Sequence, residues 1–126
     1  MKASCAAELI VRCFDARNNA HIFHLQALKS SYALHKALEA FYEGIIPLAD
    51  TFAESYQGVH GLIDATRYPE SSKRPADPMA LLTDLRKWIM ANRDDIGGAD
   101  DTEIQNNIDE IVSLVDQTMY MVRFFK

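Results

Sequence analysis

Four side chains able to bind a divalent metal recur along one stretch of the chain: His35, Glu39, Asp50 and Glu54. Read as a helix at about 100° per residue with His35 at the origin, Glu39 falls at about 40°, Asp50 at about 60° and Glu54 at about 100°. One imidazole and three carboxylates therefore share an arc, in two i, i+4 pairs whose members can meet on a common ligand. The pairs are separated by about 22 Å of helix rise, so one chain cannot wrap all four around one ion. Two antiparallel copies can, because the His35/Glu39 end of one helix then meets the Asp50/Glu54 end of the other. Imidazole with carboxylates suits iron, zinc or manganese, and a site without thiolate disfavours copper(I). Open positions on such an ion would serve oxygen or peroxide chemistry.

The same wheel carries small residues beside the acidic arc. Ala33, Ala37, Ala40, Gly44, Thr51, Ser55 and Gly58 fall between about 140° and 200°. Gly44 lies midway between the two ligand pairs, where a two-fold axis would cross. These residues suggest an isologous dimer with two equivalent sites, Ala40, Gly44 and Thr51 being the contact positions. The competing reading is plain: small residues also fill intramolecular helix contacts, and carboxylates beside Lys36 make an ordinary solvated face. A second imidazole comes from upstream, where His21 and His24 fall on the inward side of the preceding helix. A short turn would bring His24 beside His35.

Four helices position these groups. The first spans about Ala3 to Leu28, with Leu9, Ile10, Cys13, Phe14, Ala20, His21, His24 and Leu28 recurring at three- and four-residue steps. Ser30-Ser31 offers an N-cap for the second, which continues to Gly58–Gly61. Its stripe is Leu34, Leu38, Phe41, Ile45, Leu48, Phe52, Tyr56 and Val59. Pro47 lies inside it and should kink it by removing the bond to the Glu43 carbonyl. A polar stretch holding three of the four prolines joins Asp64 to Pro78, crossing the bundle end or running along its side. Asp77-Pro78 then starts the third helix, to about Asp94, with Leu81, Leu82, Leu85, Trp88 and Ile89 inward. Asp101 or Thr102 caps the fourth, Thr102-x-x-Gln105 matching a capping box. Its core face is Ile104, Ile108, Ile111, Val112, Val115, Met119 and Val122. The expected fold is an all-α four-helix bundle of one domain, residues 1–126.

From His24 to Gly58 the chain resembles the Dps branch of the ferritin-like superfamily. That family's site reads His, about a dozen residues, His-x3-Asp/Glu, ten residues, Asp-x3-Glu. His35, Glu39, Asp50 and Glu54 reproduce its second part at identical spacing, and His24 stands one residue nearer to His35 than the family pattern. The resemblance is nearest to short Dps-like proteins of tailed bacteriophages. It implies iron bound at a two-fold dimer interface and a ferroxidase-type activity. His24 and His35 would come from one subunit and Asp50 and Glu54 from its partner. Glu39 would be a ligand or would orient a histidine. Leu25 replaces the family's usual tryptophan, and Glu39 its usual aspartate. No basic tail precedes the first helix, so the family's DNA binding is not implied. The repeated Glu-x-x-His signature of intrasubunit di-iron bundles is absent.

Composition narrows the remaining choices. The chain has 126 residues, net charge −5, 48% hydrophobic and 25% charged residues, which is the balance of a globular domain. The acidic balance without a basic block argues against nucleic acid. No apolar run approaches the roughly 20 residues that span a bilayer, and the N-terminal segment is broken by Glu8, Arg12 and Asp15. The chain reads as cytoplasmic, the host cytoplasm if phage-encoded. Cys5 and Cys13 would sit about 12 Å apart along one helix, too far for a disulfide. No Gly-x-Ser-x-Gly elbow exists, which leaves a serine hydrolase without support. The alternative to a metal protein is a non-catalytic, phage-encoded structural or interaction protein without a cofactor. The apolar end from Tyr120 to Lys126 should pack on the bundle or on another subunit.

Overall fold

A computed structural model describes residues 2–27 and 31–125. The helices are α1 (Ala3–Ala27), α2 (Tyr32–His60), α3 (Pro78–Ile96) and α4 (Thr102–Phe124), with a turn of 3₁₀ helix at Ala65–Arg67. Among the described residues there is no strand. Leu28, Ser30 and Lys126, named above as core, cap and terminus, lie outside the described residues.

Local chemistry sets the boundaries. The Ser31 side chain accepts a hydrogen bond from Leu34 N, a side-chain cap at the start of α2. Gly61, at φ 95°, ends that helix in a conformation that costs other residues a clash with their own Cβ. The Asp77 side chain accepts from Ala80 N, and Pro78 opens α3 where its missing N–H costs nothing. α2 stays helical through Pro47, which lies on the exposed side.

The capping box at α4 does not form. Thr102 is already helical, and Gln105 turns to α3 instead, where Nε2 donates to the Gly97 carbonyl at 2.8 Å and Oε1 accepts from Arg93. Gln105 thus satisfies the end of the preceding helix. α3 continues two residues past the expected Asp94, to Ile96, whose side chain is fully buried.

The path of the connection decides the topology. Ser72 N donates to Asp15 Oδ2 at 3.1 Å and Arg74 Nε to Asn19 Oδ1 at 3.3 Å, while Ala76 shares a hollow with Phe23 and Gln26. The segment therefore climbs the side of α1 from its middle to its C-terminal end. Pro78 and Met79 start α3 there, around a groove shared with Ser31 and Leu34. α3 returns to the other end, where Asp95 O accepts from Lys2 N. α4 starts beside His60 and climbs back until Phe125 lines the same groove as Leu34. The result is an up-down-down-up bundle with one long crossover, in which each helix is antiparallel to the neighbours it packs against.

The core runs the length of this bundle. Leu9, Leu38, Phe41, Ile45, Phe52, Leu82, Ile89, Ile104, Ile108, Ile111 and Val115 are fully buried. Each such side chain contributes roughly 1.5–3 kcal/mol relative to an exposed one. Some expected core positions are not covered. Val59 is 57% exposed in the last turn of α2, Phe14 is exposed on α1, and Trp88 is half-buried beneath the Arg12 guanidinium, 4.6 Å from its ring centre. Met119 and Val122 are partly buried against the core, and Thr118 fills the buried position beside them.

Candidate metal centre at the α1–α2 turn

The antiparallel turn of α1 into α2 puts His24 and His35 face to face. Their rings stack with centroids 3.6 Å apart and planes at 19°. His24 Nδ1 lies 2.6 Å from the His35 carbonyl oxygen, and His35 Nδ1 lies 2.9 Å from the His24 carbonyl oxygen. A carbonyl oxygen only accepts, so each Nδ1 carries a proton, and the neutral tautomer consistent with this has its lone pair on Nε2. His24 lies in the last turn of α1, and its carbonyl accepts from the His35 ring. Neither Nε2 takes a hydrogen bond, and among the described residues no fully buried polar side-chain atom lacks a partner. A histidine anchored through Nδ1–H to a backbone carbonyl with Nε2 open is oriented as metal-bound histidines are.

More rings surround this pair. His21 stacks on Tyr42 at 4.2 Å and meets His24 edge-on at 5.8 Å. Tyr42 also meets His24 edge-on at 5.2 Å, and the Arg17 guanidinium lies 5.5 Å from the Tyr42 ring centre. His24 is 6% exposed, His35 half-buried and Tyr32 73% exposed. The sequence reading did not single out Tyr42 as part of the site, or the two carbonyls. The signal was two histidines eleven residues apart bracketing a turn.

Glu39 sits one turn beyond His35. It accepts a hydrogen bond from the Lys36 ammonium at 2.5 Å. That bond holds the Glu39 carboxyl below its ordinary range, with smaller contributions from His24 and His35, and it raises the Lys36 ammonium in turn. Asp50 and Glu54 are exposed on the same side of α2 but about three to four turns beyond Glu39. They do not reach the imidazoles within one chain. Among the described residues, no three His, Cys, Asp or Glu side chains of one chain are grouped so as to hold a metal ion. Imidazole and carboxylate are donor types that suit iron, zinc or manganese, but within one chain His24, His35 and Glu39 are not grouped around a common point.

The small-residue stripe divides between two environments. Ala40 and Thr51 are exposed. Gly44 is half-buried and faces Leu114 of α4, and Ala37 is buried at 3% exposure. The close approach at Gly44 is thus used inside the bundle.

At the opposite end, His60 Nε2 lies 2.7 Å from Asp101 Oδ2, and the His60 ring packs 4.9 Å from Tyr56. Asp101 precedes α4 without making a side-chain cap bond; it accepts from Gly98 N as well as meeting His60. Burial, and then the Asp101 charge, pushes the Tyr56 hydroxyl up. This pair ties the end of α2 to the start of α4. Cys5 and Cys13 are both free thiols, Cys13 buried and Cys5 partly so. Among the described residues no helix is long and apolar enough to cross a membrane.

Comparison with known proteins agrees with a phage connection. The chain is 28% identical over 121 residues to an uncharacterised 14.6 kDa protein from the mobD–ri intergenic region of Enterobacteria phage T4, covering 96% of this chain and 90% of the relative. No solved structure matches the chain significantly. A family model matches residues 24–122, from the first histidine of the stacked pair to the last turn of α4. The chain belongs to that family, described as a family of unknown function, DUF5856.

Proposed function

We propose that this chain is a Dps-like, iron-binding member of the ferritin-like bundles, with its metal site shared between two antiparallel copies of α2. The observation that carries the reading is the His24–His35 pair, with both Nδ1 protons committed to backbone carbonyls and neither Nε2 hydrogen-bonded to a described residue. The single long crossover supports it, since that connectivity is the one ferritin-like bundles use. His24, His35 and Glu39 of one copy would face Asp50 and Glu54 of the other, completing a set that one chain lacks. The metal would supply the redox chemistry. The protein would hold the imidazoles in a fixed tautomer and provide anionic donors that favour the higher charge of oxidised iron.

Aerobic Fe(II) oxidation by the purified protein, beside a His35→Ala/Glu54→Ala double variant, tests this reading. Oxidation well above the buffer rate in the native chain, and lost in the variant, is the expected result. Equal rates in protein, variant and buffer would remove the ferroxidase assignment.

One observation favours a second reading, a non-catalytic interaction protein. Leu25, Tyr32, Tyr120, Phe124 and Phe125 are all exposed at the end of the bundle where α1 meets α2 and α4 finishes. An apolar collar of that kind fits protein contact. Thermal stability distinguishes the two, because a metal bound only by the folded chain must raise the midpoint. No shift with Fe(II), Zn(II) or Mn(II) would favour the interaction protein.

A further inference from the structure

α1 carries a second apolar stripe on the side away from the core. With Phe14 at the origin of a helical wheel, the buried residues Leu9, Cys13, Ala16 and Ala20 fall between about 200° and 260°, whereas Val11, Phe14, Ile22 and Leu25 fall between about 0° and 80°. None of these last four belongs to the packed core. Phe14 is 40% and Leu25 59% exposed, and Val11 and Ile22 are half-buried. A helix that covers a core normally carries charge on its outer face. Here the three charged residues between Val11 and Leu25 all turn to the flanks: Arg12 to Glu8 and the Trp88 ring, Asp15 to Ser72, and Arg17 to the Tyr42 ring. The centre of the face holds Asn18, exposed and at about 40° on the same wheel.

We propose that this face pairs with the same face of a second copy of the chain, the two α1 helices lying antiparallel across a two-fold axis at Asn18. The spacing is symmetric about that residue: Val11 and Leu25 stand seven positions to either side of it, and Phe14 and Ile22 four. An antiparallel pair centred there sets Val11 of each copy against Leu25 of the other and Phe14 against Ile22, so every apolar side chain meets an apolar one. A partner of unrelated sequence would not require that symmetry. The two Asn18 side chains meet at the axis. Each amide has two donors and an oxygen with two lone pairs, so they can bond reciprocally while each Oδ1 still accepts from its own Arg17 at 3.2 Å. One polar side chain within an apolar helix seam fixes its register, and antiparallel axes bring opposite ends of the two helix dipoles together. The stripe is about 21 Å long. A single helix pair of that length falls short of the roughly 800 Å² per partner of a standard interface, so the association is reversible and in the micromolar range. This face is separate from the acidic arc of α2 and needs no metal ion.

Sedimentation equilibrium of the full-length protein in EDTA tests this pairing, since chelation removes any metal-held contact along α2. The native chain should show a monomer–dimer equilibrium in the micromolar range. Phe14→Glu and Ile22→Lys should each weaken it by about tenfold or more, because each sets a charge against an apolar partner. Circular dichroism should show unchanged helix content in both. Mixing the two variants should restore association, since the antiparallel register places the new acid of one chain opposite the new base of the other. A native chain that stays monomeric into the millimolar range would overturn the proposal. A native dimer that neither variant weakens would put the contact on another face and overturn it equally. Association lost in both variants and not regained on mixing would overturn the antiparallel register. None of these outcomes bears on iron binding, which the His35→Ala/Glu54→Ala variant reports separately.

Discussion

Gly44 of α2 meets Leu114 of α4 so closely that a Cβ on residue 44 would lie 3.2 Å from Leu114 Cδ2. Two effects then oppose one another in Gly44→Ala. Alanine in a helix interior is favoured over glycine by about 0.8–1 kcal/mol. The contact asks Leu114 to give by a few tenths of an ångström, and Leu114 is only half-buried, so it has room to turn. We expect Gly44→Ala to stabilise the fold by up to about 1 kcal/mol and Gly44→Leu to destabilise it, both read from urea midpoints. A destabilised Gly44→Ala would mean that the α2–α4 seam cannot yield.

Gln105 joins the end of α3 to the start of α4 with four bonds: to the Gly97 carbonyl, to the Arg93 carbonyl and two from the Arg93 guanidinium. Its loss leaves the Gly97 carbonyl at a buried position without that donor. Gln105→Ala should cost about 1–3 kcal/mol, the usual range for abandoning a buried polar partner. Thr102→Ala should cost little, because Thr102 does not cap the helix. Equal losses in the two variants would restore the capping box as the description of this turn.

Cys13 gives the fold a dependence on alkaline pH. Complete burial pushes its thiol up from 9.0 to about 12. Between those values the unfolded chain loses a proton that the folded chain keeps, so stability present below pH 9 declines as pH rises toward 12. The slope from this group approaches about 1.4 kcal/mol per pH unit. Unfolding free energies measured from pH 8 to 11 should fall more steeply in the native chain than in Cys13→Ala. Parallel curves for the two would show that the thiol does not contribute. In the folded state a thiol reagent should label Cys5 ahead of Cys13.

Much of this architecture was legible because each helix announces its own ends and its own apolar face. Ser31, the Asp77-Pro78 pair and Gly61 act through bonds or dihedrals within a few residues, so the sequence alone reveals them. What the sequence could not show is which neighbour a side chain chooses. Gln105 and Asp101 both bond to residues outside their own helix, to Gly97 and to His60, and nothing within a local window favours those partners. Val59 lies on the core arc of α2, but no neighbouring helix covers its turn. At Gly44, periodicity records a small residue and not what fills the space beside it, which is Leu114 of α4. The stacked histidines were approached through their spacing, while the carbonyls that aim them carry no sequence signature at all.

Those carbonyls have a further consequence for how the chain can change over time. The two rings are aimed by main-chain oxygens, and every residue at positions 24 and 35 supplies one. Replacing the apolar residues around them alters packing but removes neither anchor. The arrangement requires only that two histidines bracket a turn at the right separation. Such a centre can survive extensive drift in the surrounding core, and it is open to the same mutational steps in any helical hairpin of similar length.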